Sequence, residues 1–216
     1  IGVSCGNQLY FGNRIIKKEH PSDWENARRT LLNRAVEAAV IENNHLSMLI
    51  EGLAYDRCQV GVVLNIDPSA TFPEYAIYDE DQLFSIVRTQ VDVVLPNGAA
   101  VLNADDPLVA KMAELCDGEV IFFSSTETTP LIEEHLKQGG RAVLVRGQEI
   151  VLKTARRDEQ VLHLPKNPKS TPDSMQWKSI NLAAAIATAW ALGIPFNIIL
   201  AGTETFYSAT ATQTEA

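Results

Sequence analysis

The chain has 216 residues, of which 46% are hydrophobic and 21% charged, with a formal net charge of -9. That length and balance fit one well-packed, soluble globular domain. The acidic excess argues against a nucleic-acid surface or an anionic lipid surface, both of which need clustered Lys and Arg.

No apolar run approaches the roughly 20 residues that span a bilayer, and no basic segment followed by an apolar one marks a signal peptide. Cys5, Cys58 and Cys116 lie far apart and fit no zinc or redox spacing, so they read as reduced thiols of a cytoplasmic protein. The chain opens on Ile1-Gly2-Val3-Ser4-Cys5, a strand already under way, and is therefore expected to be part of a longer polypeptide.

In chain order, Ile1–Cys5 reads as a buried strand. Gln8–Ile16 reads as a hairpin turning at Gly12-Asn13. Ser22 or Asp23 can cap a helix from Trp24 to Asn33. Val36–Ile41 is a short apolar run, expected to be a strand buried on both faces. His45–Leu53 reads as a helix, Val60–Ile66 as a second buried strand and Asp67–Tyr78 as a loop. Asp79–Val91 has helical spacing.

Val93–Leu95 leads to an expected turn at Pro96-Asn97-Gly98, and Ala99–Leu102 returns as a strand. Asp106 before Pro107 opens a helix that ends near Cys116, with Gly118 at its exit. Glu119–Phe123 is a strand and Pro130–Lys137 a helix. Arg141–Val145, Glu149–Thr154 and Gln160–Leu164 read as three strands of an antiparallel flap. Lys166–Ser174 reads as a mobile loop, Ile180–Leu192 and Pro195–Phe206 as helices, and the tail 207–216 as disordered.

The alternation of strands and helices predicts an α/β fold: a mostly parallel sheet covered by helices, with a small antiparallel hairpin extension. One domain is expected over residues 1–206. Such sheets bind ligands at the carboxyl ends of their strands, and nucleotide-binding versions carry a glycine-rich loop before a helix. Neither G-x-x-x-x-G-K-[ST] nor G-x-G-x-x-G occurs in this sequence.

Several stretches follow one another in a familiar order: Gly12-Asn13-Arg14, Ala27-Arg28, Gly52-Leu53-Ala54-Tyr55-Asp56-Arg57-Cys58, Val60-Gly61-Val62-Val63, Leu95-Pro96-Asn97-Gly98 and Leu102-Asn103-Ala104-Asp105-Asp106-Pro107. With Asn181 and its Ala-rich helix, they resemble the Mur-ligase-like domain of cyanophycin synthetases over nearly the whole chain. That resemblance implies a Mur ligase central-domain fold whose family counterpart begins with a further strand and a phosphate-binding loop. It implies a parent enzyme that is an ATP-dependent amide ligase, builds arginine-bearing poly-aspartate and uses ATP and magnesium. The implied partners are an ATP-grasp domain of the same polypeptide and further copies in a homo-oligomer. Asn103, Asp105, Asp106 and Asn181 then become candidate nucleotide contacts, and Glu42 a candidate magnesium ligand.

The departures fall on the machinery of that family. Where it reads E-T-A-R-G-G, this chain has Glu42-Asn43-Asn44-His45-Leu46-Ser47. The D-H-L-G element is replaced by Asp67-Pro68-Ser69-Ala70, the helix over Asp79–Val91 has Arg88 but no lysine, and Trp177-Lys178 stands where the family has H-N. No catalytic residue is assigned. The expectation is a Mur site that no longer catalyses, most like the shorter second type of synthetase, and that serves as scaffold or dimerisation module. Two alternatives stay open: a piece of an active Mur-type ligase, and a regulatory nucleotide-binding module. Bland readings also stand beside each candidate: Asp106 as a helix cap, Asn181 as a helix-start hydrogen bond, Glu42 and His45 as polar loop residues, and His135 and His163 as structural histidines.

Overall fold

A computed structural model describes residues 1–6, 8–16, 22–126, 129–155, 160–164 and 172–213. The single domain expected over residues 1–206 divides into two compact units.

The first unit comprises residues 1–57 and 67–89. Its strands are β1 (Gly2–Cys5), β2 (Gln8–Phe11), β3 (Arg14–Ile16) and β4 (Ala39–Ile41), in the order β3-β2-β1-β4. The hairpin contacts are antiparallel, and β4 runs parallel to β1. Helix α1 (Asp23–Leu32) starts where the Ser22 hydroxyl accepts the Glu25 N–H at 3.1 Å. Asn44 caps α2 (His45–Ile50) in the same way, and Asp79 caps α3 (Glu80–Val87). Residues 36–41 do not form the doubly buried strand expected of them. Only Ala39–Ile41 is strand, and Val40 is 59% exposed. The reason is topological: β4 ends its sheet among the described residues, so its apolar run has no neighbour beyond it.

The second unit comprises residues 58–66 and 90–216, and α4 (Thr89–Asp92) carries the chain into it. Its sheet contains β5 (Cys58–Val63), β6 (Val94–Asn103), β7 (Glu119–Ser124), β8 (Arg141–Arg146), β9 (Glu149–Thr154) and β10 (Gln160–His163), in the order β10-β9-β8-β7-β6-β5. Strands β5 to β8 are parallel, so the first strand of the expected flap, β8, also closes the parallel part, and β9 and β10 follow it antiparallel.

Both faces of the parallel part are covered. On one side α7 (Pro172–Ala191) lays Ile180, Ala183, Ala184 and Ala187 against Val101, Ile121, Phe123 and Val143. The alternate strand residues Ala142 and Leu144 pack with Ile132 of α6 (Pro130–Lys137). The small Ala side chains let α7 approach the sheet closely. Each fully buried Phe, Leu or Ile in this core contributes about 1.5–3 kcal/mol.

The expected turn at Pro96-Asn97-Gly98 lies inside the ten-residue β6. The pairing jumps from Cys58↔Val94 to Val60↔Ala99, so residues 95–98 bulge opposite Gln59 without ending the strand. The Gln59 side-chain amide donates to Asn97 O at 2.9 Å. Gly98 is required there because a Cβ would collide with the Gln59 carbonyl oxygen, and a Cβ on Gly118 would lie 2.5 Å from Gly98 O.

Three further boundaries differ from expectation. Helix α5 (Pro107–Lys111) is short and tightens into a 3-10 turn over Met112–Leu115. Helix α7 begins at Pro172, within the segment read as a loop; Pro is compatible with a first turn, while residues 166–171 lie outside the described residues. Helix α8 (Phe196–Gln213) runs on through most of the segment read as a disordered tail. No Gly or Pro follows Gly202, so nothing in the sequence stops it. Residues 214–216 lie outside the described residues.

Candidate ligand-binding edge of the parallel sheet

The carboxyl ends of β5, β6 and β7 bring together three of the four expected nucleotide contacts. Each is held by the chain itself. Asn103, the last residue of β6, donates from Nδ2 to Leu64 O at 2.8 Å and accepts the Asp105 N–H at 3.0 Å. Asp105 accepts the Ser124 hydroxyl at 2.5 Å through Oδ1 and the Ser125 N–H at 2.7 Å through Oδ2. Asp106 uses Oδ1 for the N–H groups of Leu108 and Val109, at 2.9 and 3.2 Å, and Oδ2 for the Ile66 N–H at 2.8 Å.

Asp106 is therefore a helix cap, as the Asp-Pro pair suggests, and also a tie from α5 to the end of β5. Asp105 ties β6 to β7 in the same manner. Asn103 joins β6 to the chain leaving β5. Ser124 and Ser125 were not singled out in the sequence. The signal lay in two hydroxyl residues directly after the buried run Ile121–Phe123.

Asn181 sits in α7 on its exposed side, with its neighbours Ile180, Ala183 and Ala184 turned to the sheet. Arg141, at the start of β8, donates to Trp190 O near the end of α7 at 3.2 Å. The Trp177-Lys178 side chains lie outside the described residues.

Glu42 belongs to the first unit. It follows β4, its own N–H donates to Ser4 O at 2.8 Å, and its Oε2 accepts the Gly6 N–H at 2.6 Å. It also accepts the Cys5 thiol proton, and this hydrogen bond is the chief cause that pushes the Cys5 thiol up to about 11, followed by burial and the charges of Glu42 and Asp23. The Asp23 carboxyl is raised by burial first, and by the charges of Glu42 and Glu51, while the Asn44 side-chain amide bonded to it works the other way.

The charges of Glu42 and Glu51 thus act on Asp23, but among the described residues no three His, Cys, Asp or Glu side chains are arranged to hold a metal ion. His45 does not pair with Glu42. Burial lowers its pKa, and the charge that opposes this is Asp67.

The remaining described histidines and the cysteines have structural surroundings. His135 Nε2 lies 3.1 Å from both Val120 O and Arg141 O, its ring meets Phe122 edge-on at 4.8 Å, and burial lowers its pKa. His163 Nδ1 lies 3.1 Å from Glu149 across the β9–β10 pair. Burial pushes the Cys58 thiol up to about 11 and raises Cys116, and all three cysteines are free thiols.

For the nucleotide and magnesium that the Mur resemblance implies, Asn103, Asp105 and Asp106 carry intrachain hydrogen bonds, and no trio of His, Cys, Asp or Glu among the described residues is arranged around a metal. A triphosphate needs N–H donors and cations turned toward it. At the ends of β5, β6 and β7 Asp105 and Asp106 accept, Asn103 both donates and accepts, the Ser124 hydroxyl donates, and these bonds close the chain on itself. No helix among the described residues is long and apolar enough to cross a membrane.

No family model matches the chain. It is 31% identical over 213 residues to a cyanophycin synthetase of Synechocystis sp., covering 95% of this chain and 24% of that protein. It is 30% identical over 217 residues to the cyanophycin synthetase of Crocosphaera subtropica, covering 99% of this chain and 24% of that one. The chain thus spans about a quarter of the length of the curated relatives it matches. Among solved structures, MurF from Acinetobacter baumannii is similar with a TM-score of 0.50 and 19% identity, covering 80% of this chain and 35% of MurF, which bears on the fold alone. By sequence the chain is similar to part of the cyanophycin synthetases, and by fold it is similar to part of a Mur ligase.

Proposed function

We propose that the chain is the Mur-ligase-like module of a longer ATP-dependent amide ligase that makes cyanophycin, of the shorter second type, and that it acts there as a scaffold or dimerisation module. Chemistry in this reading takes place at an ATP-grasp domain of the same polypeptide, with ATP and magnesium bound there, in a soluble cytoplasmic oligomer. The observation that carries it is the commitment of Asn103, Asp105 and Asp106 to backbone and hydroxyl groups of their own chain. The internal sequence departures support it too: no D-H-L-G histidine after Ile66 and no lysine in Asp79–Val91.

The test is a calorimetric titration of the chain with ATP and magnesium. The expected result is no binding tighter than about 1 mM. Binding tighter than that, lost in Asp105→Ala with the fold retained, would overturn the reading in favour of a nucleotide-binding module. On the full-length enzyme, Glu42→Ala should leave polymer extension intact. Loss of extension with folding preserved would restore a catalytic role to this module.

A further inference from the structure

At the opposite edge of the second unit's sheet, where β8 begins, a cleft of about 310 Å³ opens between β9, β10 and the corner joining α7 to α8. Its size sits at the lower end of small-molecule sites. Its walls are apolar: Leu152 below, Ile194, Phe196 and Ile199 from the corner, and the Trp190 ring. The polar lining is Arg141 and Gln160.

That guanidinium is unusually well fixed. Nε and Nη2 donate to the two oxygens of Glu119, both at 2.6 Å, and Nη1 donates to Trp190 O at 3.2 Å. The group also stacks over the Trp190 ring, 4.7 Å from its centroid. Among the described residues three of its five N–H bonds are used in this way, leaving two on a planar group held from both sides.

A held, planar donor at the mouth of an apolar slot selects a particular shape of ligand. We propose that this cleft binds a small carboxylate with a flat or branched apolar body. The body lies against Trp190, Ile194 and Phe196, and the carboxylate accepts the two remaining N–H bonds of Arg141. Glu119 lowers the net charge of the site, so affinity is modest and selectivity comes from the planar head. The cleft lies across the sheet from Asn103, Asp105 and Asp106, so it is independent of whether that edge binds nucleotide.

Protein-observed NMR on the 216-residue chain tests this, with benzoate and 3-methylbutanoate as probes and benzyl alcohol as the control without a carboxylate. Both carboxylates should shift the Trp190 indole N–H and the amides of Gly193, Ile194 and Phe196, saturating below about 10 mM, with benzyl alcohol roughly tenfold weaker. Arg141→Gln should remove that preference. Because losing Arg141 also unpairs Glu119, a second variant, Ile194→Trp, fills the slot while leaving the ion pair intact, and should abolish the shifts. Absence of shifts at these residues, equal response to benzyl alcohol, or shifts that persist in Ile194→Trp would each overturn the proposal.

Discussion

Replacing Asp106 with Ala separates a structural role from a binding role at the carboxyl edge. The side chain accepts three backbone N–H groups: two at the first turn of α5 and one at Ile66, a residue only 5% exposed. Loss of an N-cap acceptor costs about 1 kcal/mol. Leaving the Ile66 N–H without its partner adds about 1–3 kcal/mol, giving about 2–4 kcal/mol in all. With a urea slope of about 2 kcal/mol per M, the midpoint should fall by about 1–2 M. Asn at 106 keeps one acceptor oxygen and caps nearly as well as Asp, so Asp106→Asn should recover about half of the loss. The assay is urea unfolding together with amide hydrogen exchange across β6 and β7, which reports on this unit alone. An Asp106→Ala protein whose midpoint and exchange match the parent within about 0.3 M would refute the structural assignment.

Gly118→Ala places a methyl 2.5 Å from Gly98 O and 2.8 Å from Leu95 O, so unfolding measurements should show a loss of about 1–3 kcal/mol. His135 has a folded pKa below its unfolded value of about 6.5. Its neutral form is the one the fold holds, so its contribution is present above pH about 6.5 and is lost as pH falls through the folded pKa. Glu119 faces it and opposes the shift. His135→Gln, which keeps an N–H donor, should therefore flatten, but not abolish, the fall in melting temperature below pH about 6.5, because His45 titrates with the same sign. Cys5 is exposed yet should alkylate more slowly than a free thiol at neutral pH, because its proton is held by Glu42; Glu42→Ala should speed the reaction, as read by mass spectrometry with iodoacetamide.

The elements that could be read from the sequence are those whose signals are local. Ser22, Asn44, Asp79 and Asp106 cap helices through side chains that stand immediately before the first turn. The flap β8-β9-β10 followed from alternation with short polar breaks. The misreadings have non-local causes. Pro96-Asn97-Gly98 carries a strong turn signal, but pairing with β5 on either side holds the strand together and turns the signal into a bulge. Val36–Ile41 has the composition of a central strand, yet its burial depends on neighbours, and only β1 lies beside it. The division into two units leaves no composition mark, because β5 follows Arg57 without a break.

The same contrast bears on what the most specific motif means. Leu102-Asn103-Ala104-Asp105-Asp106-Pro107 was the strongest part of the family resemblance, and it suggested nucleotide contacts. In the structure each polar residue of that motif has a task that needs no ligand. Asn103 secures the chain leaving β5, Asp105 the start of the loop after β7, and Asp106 with Pro107 the opening of α5. Ala at 106 would leave two helix-end N–H groups and the Ile66 N–H unpaired, and Ala at 103 or 105 would remove the bonds to Leu64 O and the Asp105 N–H or to Ser124 and Ser125. A fold that must close three parallel strands in this way keeps the motif whether or not nucleotide is bound. The motif therefore identifies the architecture. The stretches where the resemblance leads one to expect phosphate and metal contacts, from Glu42 to Ser47, after Ile66 and within Asp79–Val91, are the ones where this chain departs from that pattern.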